Sequence, residues 1–210
     1  MKKRDVKKYI YSFVITLFIF SVAIFASKFI SNSKINELSK IQEEISLAII
    51  SNEISDNDTG GISCQDILNR NYKLSSEIGT LAEKITFLEE GGNTSDEIYV
   101  LKENYTLLLI KDYLATLKVD SDCDLGLSQV LFFYSNNDCD QCVEQGYVLT
   151  ALREKYDFVR VYSFDEGIEL GSQKVLMDKY GIKGPYPVVY INGKVYNGFQ
   201  SLSKLEGLIN

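Results

Sequence analysis

Two cysteines three residues apart, set where a strand-like pattern turns into a helix-like one, constrain this chain more than any other feature. Val130-Leu131-Phe132-Phe133-Tyr134 is a continuous apolar and aromatic run, typical of a buried strand. The polar turn Ser135-Asn136-Asn137 follows, then Asp138-Cys139-Asp140-Gln141-Cys142. From Val143 to Tyr156 the residues Val148, Leu149, Leu152 and Tyr156 recur at helical spacing. Cys139 is therefore expected at a helix N-terminus, facing solvent, where unpaired amides and the macrodipole favour a thiolate. Cys142, three residues on, lies under it within bonding reach.

The alternation continues to the end of the chain. A strand is expected at Phe158 to Tyr162, a helix at about Leu170 to Tyr180 and a strand at Val188 to Ile191. The Asn192-Gly193 hairpin, a strand at Lys194 to Tyr196 and a terminal helix from about Ser201 complete the order. A β-α-β-α-β-β-α order needs a central mixed sheet covered by helices. Over Gln129 to Asn210 the sequence resembles the thioredoxin superfamily. The carriers are the strand-Cys139-x-x-Cys142-helix unit, the approach Lys179-Tyr180-Gly181-Ile182-Lys183-Gly184, a proline leading a strand in Tyr186-Pro187-Val188-Val189-Tyr190-Ile191-Asn192-Gly193-Lys194, and the closing amphipathic helix.

The resemblance implies a dithiol-disulfide exchange fold with Cys139 as nucleophile and Cys142 as resolving thiol. It also implies a cis proline facing the pair and shaping a substrate groove. Pro187, with Tyr186 beside the disulfide, is the first candidate for that proline and Pro185 the second, since an X-Pro bond is the one inexpensive place for a cis peptide. The chain departs from the family where Asp138 replaces a common tryptophan, where Asp140-Gln141 fills the dipeptide, and where the preceding strand offers no carboxylate. Asp138 reads as a helix N-cap. Two carboxylates flanking Cys139 oppose thiolate formation, which points to a moderate or reducing potential.

Composition narrows the chemistry further. The 210 residues contain no histidine, which excludes Ser-His-Asp triads, Cys-His proteases and His-ligated metal sites. A net charge of -7 gives no general affinity for nucleic acid. Four cysteines remain: Cys64, Cys123, Cys139 and Cys142. A zinc site built from all four is a poor fit because Cys64 and Cys123 stand far apart rather than as a close pair, so neither metal nor cofactor is expected.

The N-terminus reads as an anchor. Residues 1–8 carry Lys2, Lys3, Arg4, Lys7 and Lys8 against Asp5, and an uncharged run from Tyr9 to Ser27 follows. As a helix that run would span about 28 Å, close to the roughly 30 Å hydrocarbon core. The expectation is a basic cytoplasmic tail over 1–8, a transmembrane anchor over 9–30, and everything beyond exported, a single-pass protein of the cell membrane. A cleaved signal peptide ending at Ser21-Val22-Ala23 is the rival, disfavoured because the apolar run exceeds a usual signal h-region. Outside the cytoplasm disulfides persist.

Residues 31–123 are expected to be helical and coiled-coil-like, with the thioredoxin-like part at 124–210. Ile35, Leu38, Ile41, Ile45 and Ile49 form one stripe; Leu74, Ile78, Leu81, Ile85 and Leu88 form a second of heptad regularity; Leu101, Tyr105, Leu108 and Leu109 form a third. Breaks fall at Asp56 to Gly61 and at Gly91-Gly92-Asn93. The second break is short enough to force helices at about 64–90 and 96–117 antiparallel, which brings Cys64 at one start beside Cys123 just past the other end. A structural disulfide between them is expected. The heptad stripe could equally serve a homodimer.

Two functions follow from these readings. The first is a membrane-tethered, extracytoplasmic thiol-disulfide oxidoreductase that uses Cys139 and Cys142, with protein thiols or disulfides and a redox partner as its company and the lipid bilayer met through residues 9–30. The second is a redox-inert thioredoxin-like scaffold in which both disulfides are structural.

Overall fold

The bulky run of β1 (Ser128–Tyr134) becomes the middle of a sheet because it is the segment able to bury both faces: Val130, Leu131, Phe132 and Phe133 are all buried. In this computed structural model, which describes residues 9–25, 36, 39–40, 42–43, 46–47, 64–90 and 96–209, β1 pairs in parallel with β2 (Val159–Asp165), from Ser128 opposite Val159 to Tyr134 opposite Asp165. The crossover between them is α3 (Asp140–Lys155). On its other side β1 pairs antiparallel with β3 (Val188–Ile191), Phe133 facing Val188, and β3 pairs antiparallel with β4 (Lys194–Asn197). The order β2-β1-β3-β4 is the mixed sheet the sequence implied. Asn192 and Gly193, both at positive φ of 49° and 77°, make the two-residue hairpin between β3 and β4, as the right-handed twist of paired strands requires.

One face of the sheet closes on α3 and on α5 (Leu202–Glu206), with Val130, Phe132, Leu149, Leu152, Val189, Ile191 and Leu205 in a single buried cluster. Gln145, fully buried on α3, locks this layer: its Oε1 accepts from the Gln200 amide at 2.6 Å and its Nε2 donates to the Gln200 carbonyl at 3.3 Å. On the other face Phe133 stacks on Phe164 at 5.1 Å, near α4 (Gly171–Tyr180) with its buried Leu176.

Two long antiparallel helices, α1 (Cys64–Glu90) and α2 (Asp96–Cys123), pack on each other, and α2 packs against β2 and α4. The heptad stripe Leu74, Ile78, Leu81, Ile85 and Leu88 is buried within the chain itself, as are Leu101, Leu108 and Leu109 of α2. α2 runs six residues further than its apolar stripe suggested, so that Cys123 is its last residue rather than a residue beyond it. Tyr113 ties α2 to the sheet layer, edge-on to Tyr162 at 5.4 Å, with its hydroxyl 2.7 Å from that of Tyr180 on α4.

The chain divides into two compact units, Met1–Lys40 and Ile41–Asn210. In the first, residues 9–25 are helical and expose Tyr9, Phe13, Phe18 and Phe25. This corrects the transmembrane helix expected over 9–30. Among the described residues no helix is long and apolar enough to cross a membrane. The helical stripe expected from Ile35 to Ile49, the break at 56–61 and the basic tail at 1–8 fall wholly or mostly outside the described residues.

Candidate functional site

β1 ends at Tyr134, and the chain turns through Ser135 to Asp138 before α3 begins. Asp138 lies in the left-handed region at φ 49°, which swings the backbone into the helix. It is not the N-cap. Cys139 holds that position itself, with no side-chain capping bond, so the first-turn amides are left without a side-chain acceptor from the cap. Cys139 and Cys142 are joined as a disulfide with Cα atoms 5.2 Å apart, and the Cys142 amide donates to the Cys139 carbonyl at 3.0 Å. Cys139 is half-buried, whereas Cys142 keeps 4% of its surface. Cys139 at the helix N-terminus is therefore the more accessible residue of the pair, and Cys142 the buried one. That asymmetry is what an attacking and a resolving thiol need.

The turn is clamped from the end of β2. Ser135 donates from Oγ to Glu166 Oε1 at 2.9 Å, and the Glu166 amide donates to the Tyr134 carbonyl at 2.9 Å. Asn136 donates from Nδ2 to Asp165 Oδ2 at 2.6 Å, while the Gly167 amide donates to the other oxygen of Asp165 at 2.9 Å. Asp165 is buried, and its countercharge comes from α2. Lys102 Nζ stands 2.8 Å from Asp165 Oδ2 and 2.8 Å from Glu89 Oε1 on α1. Burial alone would depress the Lys102 ammonium; the hydrogen bonds to Asp165 and Glu89 overcome it and raise its pKa above the ordinary value.

Tyr186 and Pro187 lead directly into β3, and Val188 pairs with Phe133 next to the end of β1. The register thus brings them to the sheet end from which the cysteine turn departs. Both Gly184–Pro185 and Tyr186–Pro187 are cis, so the choice between the two prolines does not arise. Pro187 is buried and its carbonyl accepts from the Gly198 amide at 2.8 Å. The Tyr186 phenol is raised first by burial and then by the Glu166 carboxylate, which marks Glu166 and Tyr186 as neighbours at this end.

A cavity of about 360 Å3 opens beside the pair, between α1, α2, α3 and the outer sheet face. Cys142, Asn136, Asp165, Lys102 and Glu89 all contribute to its wall. Asp112 lines it too. It is buried, its Oδ1 has no hydrogen-bond partner, and burial pushes its pKa up to about 6 against the opposing Tyr162 hydrogen bond and Arg160 charge. Cys64 and Cys123 lie away from this wall, joined to each other with Cα atoms 5.6 Å apart, at the paired ends of α1 and α2. Among the described residues no cluster of acidic or cysteine side chains is arranged to hold a metal ion.

Sequence reasoning named the cysteines, Tyr186 and Pro187, but not Lys102, Glu89, Asn136 or Asp165. Lys102 and Asp165 are 63 positions apart, and nothing in either local pattern points to the other.

The mixed sheet with flanking helices resembles the thioredoxin-like fold. Among solved structures the chain is similar to a crystal structure of chloroplastic thioredoxin z, at 18% identity and a TM-score of 0.35, over 45% of this chain and 84% of that one. No family model matches the chain. No curated protein matches it either.

Proposed function

We propose that the protein is a thiol-disulfide oxidoreductase working through Cys139 and Cys142. The observation that carries this reading is the pair itself, a disulfide at the first turn of α3 with one cysteine half-buried and the other buried. In the reduced protein the Cys139 thiolate attacks a sulfur of a substrate disulfide and expels the first substrate thiolate, leaving a mixed disulfide on Cys139. The Cys142 thiolate then attacks Cys139 Sγ, expels the second substrate thiolate and re-forms the internal bond, so two electrons pass to the substrate. Oxidation of a substrate dithiol runs the same steps backward.

Helix position and local charge oppose each other at Cys139. The amides of α3 favour the thiolate, while Asp140 in the first turn and Asp138 beside it disfavour it. A reduced form stabilised less than at an acid-free helix end gives a moderate to reducing potential, which favours reduction of substrate disulfides. The second bond, Cys64–Cys123, supports work in an oxidising compartment, where such bonds persist.

Replacing Cys142 by Ser removes the resolving thiol and should accumulate partner proteins joined to Cys139 by reducible bonds. A wild-type pair with a potential below about -300 mV would instead mark it as structural and overturn the reading.

A further inference from the structure

The clamp on the cysteine turn ends in a residue that belongs to the helical hairpin and not to the sheet layer. Asp165 Oδ2 accepts two donors, Asn136 Nδ2 from the turn and Lys102 Nζ from α2, and Lys102 in turn holds Glu89 of α1. Both carboxylates and the ammonium sit in the wall of the cavity that Cys142 also lines. Lys102 keeps 15% of its side-chain surface and Asp165 8%, so water screens this pair weakly, whereas Glu89 keeps 37% and is screened more. With Lys102 in place the three charges sum to a single negative charge; without it Asp165 and Glu89 lose the cation they share, Arg153 being the other cation among the described residues of the cavity wall, and Asn136 is left as the only side-chain donor among the described residues to Asp165 Oδ2.

We infer that Lys102 is a positioning residue for the exchange reaction: through Asp165 it fixes the turn that carries Cys139, and through its charge it offsets the two carboxylates facing the cysteine pair. The inference rests on the exchange reading above and adds to it that the hairpin sets the poise of the pair. Its sign follows from electrostatics. Reduction creates a thiolate at the pair, and removing a cation from the cavity wall leaves more negative charge there to oppose it. Loss of Lys102 therefore makes the disulfide harder to reduce. Loss of the Glu89 charge, which leaves the Lys102–Asp165 bond intact, makes it easier.

The test equilibrates the full-length chain with glutathione buffers of graded ratio. Quenching, alkylation and mass spectrometry of the peptide containing Cys139 and Cys142 separate this pair from Cys64–Cys123. Lys102→Met should shift the equilibrium constant about tenfold toward the disulfide, about 30 mV for a two-electron couple. Lys102→Arg, which keeps charge and donors, should stay within about threefold of wild type, and Glu89→Gln should shift the constant the opposite way from Lys102→Met. Circular dichroism establishes that each variant is folded. If Lys102→Met does not fold, the Glu89→Gln shift decides alone. A folded Lys102→Met within twofold of wild type, or a Glu89→Gln pair no easier to reduce, overturns the inference while leaving the exchange reading standing. A wild-type pair that resists every glutathione ratio overturns the exchange reading itself.

Discussion

Asp112 offers the sharpest quantitative test of the packing between hairpin and sheet. Its carboxyl is 2% exposed, its Oδ1 has no hydrogen-bond partner, and its pKa is raised from 3.8 to about 6, chiefly by burial. In the unfolded chain the group loses its proton near pH 4 and in the folded chain near pH 6, so between these values the folded state binds more protons and stability falls as pH rises. About two pKa units at 1.36 kcal/mol each cost the folded state about 3 kcal/mol above pH 7, an upper value because the site relaxes. Asp112→Asn removes the titration while keeping the shape. Relative to wild type it should gain about 2 kcal/mol in passing from pH 4 to pH 8, which for a unit of this size is about 4–8 °C in Tm. Thermal melts of both proteins by circular dichroism at half-unit pH steps read this directly. A wild-type–variant difference that stays flat from pH 4 to 8, or that grows in favour of wild type with rising pH, refutes the argument that Asp112 is buried without adequate compensation.

Three further outcomes test the scaffold. Removing both Cys64 and Cys123 by alanine substitution should lower stability by about 4 kcal/mol in a chain-entropy account of a loop of about 60 residues, seen as a lower denaturant midpoint with the slope increased by the freed unfolded chain. Gln145→Ala strands the buried Gln200 amide and carbonyl and should cost about 1–3 kcal/mol, with loss of amide protection at Gln200 by hydrogen exchange as its local signature. Phe133→Ala, at the centre of the sheet and fully buried against Phe164, should cost about 3–5 kcal/mol in urea unfolding.

Local periodicity made much of the fold legible. The third strand was readable to the residue as Val188–Ile191 because β-branched residues bounded by Pro187 and Asn192-Gly193 leave little freedom. The apolar pattern of the second strand ends at Tyr162 but the strand runs to Asp165, because Ser163 and Asp165 break that pattern while Asp165 finds Lys102, Asn136 and the Gly167 amide. Its burial depends on partners far away in sequence, which no local window contains. The residue type of Asp138 points to a cap. The backbone instead needs a left-handed residue before the helix, a conformation that aspartate tolerates better than most. At the N-terminus the uncharged run from Tyr9 to Ser27 points to a membrane span, yet among the described residues no helix is long and apolar enough to cross a membrane.

The two disulfides close loops of very different length. The same chain-entropy relation gives about 4 kcal/mol for closing the long loop and about 2 kcal/mol for the four-residue loop from Cys139 to Cys142. The second bond can open and close at modest cost to the fold, because the turn that bears it is held independently by Ser135–Glu166, Asn136–Asp165 and the helix amides. Opening the first releases the paired ends of α1 and α2, the helices that cover β2. Asn71 and Tyr162 share Thr116 across that boundary, Arg160 stacks on Tyr72 at 4.2 Å, and Tyr113 joins Tyr180. Stripped of the hairpin, β2 becomes a bare sheet edge and Asp165 loses its cation. The physical unit that supports the cysteine turn therefore extends back to Cys64, well before the region where the resemblance to thioredoxins begins.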